Sequence, residues 1–289
     1  MNTNYEVFFY IVFTSQILLI SWYIPARVRS RVKQVLETYP PSQYPKLYPV
    51  SVDTYRLGRW IFKTANNAIL LIGLALMASL LFLVDHSGFA DDGYISEFWP
   101  AAFGFLQFLP YAALEYSECR LLRKMRDLDT STVREAELRP RKLFDFVPPL
   151  GFFVAIILYV VVVVADLVTA KTNGSLALWL TVGYVFMGSL GFWILRGRNL
   201  NPHQDRGDRE RQISASLTSF VYVSIGMSLF YLFSVADQVY DLDYLDAIFL
   251  SIYWQMLAIG TIHFMMQRLS LDDIDFSVYR ADRSAGAQR

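Results

Sequence analysis

Few residues in this sequence pair a reactive side chain with a setting that would make it work. Glu115 and His263 stand at the rims of long apolar runs, where an isolated charge is costly. A carboxylate and an imidazole at that depth suit proton relay or cation binding. Asn67 lies at a similar depth, about one helical turn from the same boundary. Tyr111 falls one turn before Glu115 on the same helical face. Gln107 sits deeper in that run, and Gln255 sits in the opposite third of the last run. Both are groups that hydrocarbon penalises unless they are hydrogen-bonded. These six residues form the candidate polar site, with Glu115 and His263 expected to face the interior together. The simpler alternative pairs Glu115 with Arg120 or Arg123 at the headgroups and lets His263 snorkel outward.

Other chemistry is sparse. There is no His-Glu-x-x-His, no Gly-x-Ser-x-Gly and no glycine-rich phosphate loop followed by lysine. His86 and Asp91 have an acyltransferase-like spacing, but a glycine lies between them and chance is the simpler source. Cys119 is the single cysteine, which excludes an intrachain disulfide and any multi-cysteine metal centre. A retinal Schiff base would need a lysine in the last apolar run, and there is none. The sequence therefore assigns no catalytic, cofactor-binding or metal-ligating residue, and the cofactor stays open.

What must position the polar residues is easier to read. Seven stretches of 17 to 25 residues carry no Asp, Glu, Lys or Arg. A helix needs roughly 20 apolar residues to cross a hydrocarbon core, whereas a membrane strand needs alternating segments about half as long. The expected fold is an all-α polytopic membrane protein with helices over about 6–26, 64–85, 97–115, 146–166, 174–196, 212–236 and 246–267. These form one transmembrane domain over 1–270, with a tail over 271–289 whose end is polar and expected to be disordered. The first run has no basic residue before it and several after it, so it reads as a retained helix and not as a signal peptide.

Charge gives the orientation. Alternate connections hold 25 of the 26 basic residues, and the other side has only Lys171. Positive charge marks the cytoplasmic side, so the N-terminus is expected outside and the C-terminus inside, in the plasma (inner) membrane. Ten acids lie on the outer side, and the net charge of zero conceals a strong transverse dipole.

After the first helix the rest read as three hairpins. Each opens toward an outer acid (Asp85, Asp166, Asp237), followed by a tryptophan (Trp99, Trp179, Trp254) and a glycine (Gly104, Gly183, Gly260). This suggests either triplication around an axis, with the first helix outside, or convergence on what a membrane boundary selects. Three Tyr-Pro pairs over 39–49 predict an extended strap along the membrane surface. A helical stripe of Leu114, Leu121, Met125 and Leu128 predicts that the third helix projects inward as a surface for a protein partner. Pro110 should bend that helix, and the serines of the sixth run suit close packing. The expected partners are the lipid bilayer and a small solute or cation, with no nucleic acid. A carrier or channel is the leading functional expectation, ahead of a sensor or regulatory subunit and an intramembrane lipid-active enzyme.

Overall fold

The computed structural model describes residues 3–83, 90–91, 94–128, 141–169, 174–196 and 201–280. A stripe at helical spacing decides where the N-terminal helix goes. Phe9, Phe13, Ile17, Ile20 and Ile24 recur every three or four residues and are all sealed from the surface. They line α1 (Thr3–Leu18) and its continuation α2 (Ile24–Thr38), which are joined by a π-helical turn over Leu19–Tyr23. This corrects the expectation that the first helix is an outer addition. Close packing and the hydrogen bonds of Gln16, Ser21 and Ile20 O hold it among its neighbours, since lipid by itself does not penalise an apolar face.

Three helices surround it. Helix α3 (Val52–Leu83) presents Phe62, Asn66, Ile69, Met77 and Leu80 inward. Helix α4 (Phe98–Leu128) keeps Phe103, Gly104, Gln107, Pro110 and Tyr111 buried and runs on well past the apolar stretch, as the leucine stripe requires. Helix α8 (Asp246–Ala258) continues through a second π-helical turn, Ile259–His263, into α9 (Phe264–Arg268). A second group consists of α5 (Pro149–Thr169) and α6 (Ser175–Leu195), both packed chiefly on α7 (Arg206–Tyr240). Helix α7 also touches α8, the second π turn and α9, and so joins the two groups. The hairpins are therefore not equivalent. Helix α7 packs with the preceding hairpin, while α8 packs with α1 and α4.

Among the described residues, six helical spans are long and apolar enough to cross a membrane: Tyr5–Thr38, Val52–Phe82, Pro149–Thr169, Ser175–Leu195, Arg206–Tyr240 and Asp243–Asp273. The seventh expected crossing, 97–115, falls in α4. That helix has 31 residues, but Trp99, Pro100, Gln107, Pro110 and Tyr111 dilute its aliphatic content, and it does not join the six. Helix α6 turns Leu178, Trp179, Val182, Val185, Phe186 and Trp193 outward. A face that apolar fits hydrocarbon and not water. A two-residue antiparallel ladder pairs Ala90 with Ile95 beside the start of α4.

The arginine-rich end is capped by the chain itself. The Tyr-Pro segment does not lie extended. It folds through a 3-10 turn at Pro45–Leu47 and packs on the tail. Tyr39 stacks on Phe276 with ring centroids 3.8 Å apart, and the Tyr48 hydroxyl donates to Tyr39 O at 2.6 Å. Arg280 lies over the Tyr44 ring. Asp208, buried near the start of α7, accepts from Arg211 and from the Asp275 backbone N–H at 2.9 Å, which fixes the tail to α7. Asn201 donates to the Tyr279 hydroxyl at 3.0 Å. Residues 281–289, where a disordered end was expected, lie outside the described residues.

Candidate functional site

At membrane depth the polar residues bond to one another. Pro25 explains the centre of this network. In the first π turn the Ile24 N–H reaches back five residues to Leu19 O. The same pattern would give Ile20 O the N–H of residue 25, but proline has none. The orphaned carbonyl is satisfied from α4, where the Tyr111 hydroxyl donates to Ile20 O at 2.7 Å. One turn earlier on α4, Gln107 donates to Ser21 Oγ at 2.9 Å and accepts from Gln16 Nε2 at 2.9 Å. Gln16, Ser21 and Gln107 are all sealed from the surface. Gln255 donates to Val12 O at 3.1 Å, and the Ser15 hydroxyl lies 2.7 Å from Val12 O and 3.0 Å from Gln255 Oε1. The second π turn receives similar help, because Ser219 of α7 donates to Gly260 O at 3.0 Å. Pro25 within a charge-free run is the sequence signal for this arrangement, and run length and charge alone do not single it out.

Of the six candidate polar residues, Gln107, Tyr111 and Gln255 join this network. Asn67 does not. Residue 67 lies about 100° round the helix from the buried row of Phe62, Asn66 and Ile69, so it points outward while Asn66 is buried. Asn66 donates to Phe62 O at 2.8 Å, and its carbonyl oxygen has no partner among the described residues. Glu115 and His263 are not brought together, since no hydrogen bond or ion pair joins them. Glu115 is exposed on α4, while His263 Nε2 lies 2.9 Å from Gln267 Nε2 and its ring faces Tyr23 at 6.4 Å. Residues 112–118 of α4 are all exposed, so Glu115 does not face a packed interior.

The outer acids also part ways. Asp166 is buried and accepts from the Ala177 backbone N–H at 2.8 Å, closing the first turn of α6. Asp237 stands with Asp243 and Asp246, where one oxygen from each lies within 4.8 Å of the others. Asp85 lies outside the described residues. The glycines that come after the tryptophans serve packing. A Cβ on Gly104 would strike the Trp254 indole, and one on Gly183 would strike Met227.

At the arginine-rich end, α2, α4, α7, α9 and the tail enclose a cavity of about 230 Å³. Arg31 donates to Met266 O at 2.9 Å and to Leu269 O, tying α2 to the end of α9. Arg268, Glu118 and Gln204 complete the charged and polar lining. Next to it, the Tyr279 hydroxyl is pushed up to about 12 by burial, with Asp208 adding to the shift. The Asp275 carboxyl is held below its usual range by hydrogen bonds from Ser277.

The fold and these sites define a multi-pass integral membrane protein. No protein-family profile, no curated protein and no solved structure matches the chain.

Proposed function

We propose that this chain crosses the plasma membrane seven times, N-terminus outside and C-terminus inside, and acts as a sensor or regulatory subunit read out at its cytoplasmic face. One observation supports this over a carrier or channel. Gln16 Nε2, Ser21, Gln107, Tyr111 and Gln255 bond to one another and to backbone carbonyls, whereas the cavity opens where the arginine-rich helix ends and the tail converge. Gln16 Oε1 and Asn66 Oδ1 are left unpartnered among the described residues. A conduit needs polar groups facing a water path. The charge count supports the orientation, with α4 as the seventh crossing. Residues 115–128 of α4 project beyond the apolar run with Tyr116 and Leu128 exposed among basic residues, and they form the surface for a protein partner.

The test is accessibility by depth. In a Cys119→Ser background, cysteines at Ser21, Gln107 and Gln255 should stay unmodified by a charged thiol reagent applied to either face of sealed vesicles. A cysteine at Ser270, which lines the cavity, should react from the cytoplasmic face. Modification at Gln107 or Gln255 from either face would restore the carrier reading.

A further inference from the structure

The cavity at the arginine-rich end contains more than helix ends. Its volume of about 230 Å³ is below the ~300–1,000 Å³ of pockets for drug-sized ligands, so it suits a molecule of few atoms. Three arginines and three acids line it, so its formal charge sums to zero. Some of these charges are already committed. Asp208 and Arg211 are paired with each other, and each also holds the tail backbone. Arg31 spends two guanidinium nitrogens on the carbonyls that end α9.

The charged groups that remain are Arg268, Glu118 and the Asp273 carboxylate, since Asp273 gives Arg211 only its backbone oxygen. The Arg268 side chain makes no hydrogen bond or ion pair with a described residue, and its guanidinium lies over the Phe264 ring. Glu118 lines the same cavity without a hydrogen bond or ion pair to a described residue, and the charges of Glu115 and, less strongly, Arg31 act on it in opposite directions. Gln204 adds a buried carbonyl oxygen, Oε1, with no partner among the described residues. A buried acceptor of that kind costs free energy until a donor reaches it. The cavity thus offers two guanidinium groups, Arg268 and the remainder of Arg31, together with acceptors for an ammonium in the Glu118 and Asp273 carboxylates and Gln204 Oε1. Guanidinium pairs suit phosphate oxygens, which they engage through two parallel hydrogen bonds.

We infer that this cavity binds a small zwitterion whose ammonium lies a few bonds from a phosphate diester. The phosphate faces Arg268 and Arg31, and the ammonium faces Glu118 and Gln204. A ligand with no net charge matches a cavity with no net charge, whereas a bare anion would leave Glu118 opposing it. The same chemistry occurs free in solution and as an ethanolamine headgroup at the inner leaflet. The inference rests on the proposed function only for the side from which the ligand arrives.

The test uses the full chain in detergent, where sidedness plays no part. Glycerophosphoethanolamine titrated calorimetrically should bind at least tenfold more tightly than either inorganic phosphate or ethanolamine. Glu118→Gln and Arg268→Gln should each weaken it tenfold or more without lowering the melting temperature, while Arg123→Gln, outside the cavity, leaves it unchanged. If only nanodiscs containing phosphatidylethanolamine stabilise the chain relative to phosphatidylglycerol, and Glu118→Gln abolishes the difference, the source is the lipid headgroup. Inorganic phosphate binding as tightly as the zwitterion would overturn the inference. So would the absence of any response in both solution and nanodiscs. Binding in detergent together with cavity labelling from the outer face would instead refute the proposed orientation and leave the site standing.

Discussion

Gln107 shows how a polar residue at membrane depth serves the fold. Its amide accepts from Gln16 Nε2 and donates to Ser21 Oγ in a dry interior, while Gln16 Oε1 has no partner among the described residues. Truncating one partner leaves the others unpaired, whereas removing both ends leaves apolar packing. Gln107→Leu should therefore destabilise the chain by about 1–2 kcal/mol, the upper range for hydrogen bonds between membrane helices. The double variant Gln16→Leu/Gln107→Leu should recover most of that loss. Thermal unfolding of the three variants in one detergent provides the cycle, and strictly additive losses would deny the coupling. Gln107, Tyr111 and Gln255, named from the sequence as part of a candidate polar site, each have a hydrogen-bond partner in the fold. The sequence could not choose between Asn66 and Asn67. Adjacent residues differ by about 100° in facing, and with apolar residues all round the helix no polar side marks which way is out.

Two kinds of element carry features that the run lengths did not reveal. The π turns each depend on a hydroxyl from a neighbouring helix, Tyr111 for Ile20 O and Ser219 for Gly260 O, so they are set by tertiary contacts that periodicity cannot encode. The tail is the other case. The expected disorder concerns only its end beyond Tyr279, and the burial of Phe276 and Tyr279 against the Tyr-Pro segment has no mark in the sequence. Burial that lifts the Tyr279 hydroxyl to about 12 means the docked tail holds its proton more tightly than a free tail does. Free tyrosine titrates near ~10, so the docked state keeps its full advantage below that pH and loses it as pH rises toward 12. Hydrogen exchange or limited proteolysis of 271–280 should show protection falling over that window. Tyr279→Phe, which cannot ionise, should keep its protection through the same range. A variant that loses protection in parallel with the wild type would assign the transition to another group.

For the molecule as a whole, the sequence carried the all-helical membrane class better than the packing. Charge-free runs are a one-dimensional signal, set by the thickness of hydrocarbon. Which helix rests on which depends on small differences among nearly uniform apolar faces, as on α5 and α6, so the grouping of both on α7 and the central place of α1 were not legible. The number of crossings depends on α4, the least apolar candidate. If α4 crosses, cysteines at Asp92, Lys171 and Asp241 should be modified by an impermeant reagent on intact cells, and those at Gln43, Thr130 and His203 only after permeabilisation. If α4 does not cross, Thr130 joins Asp92 outside and every later position changes side, so Lys171 and Asp241 become inaccessible while His203 reacts. That alternative also moves the eight basic residues after the third run outward, against the positive-inside rule. The two patterns differ at four of the six positions, and a single set of labelling reactions separates them. Complete reversal of all six would keep seven crossings and overturn the orientation alone.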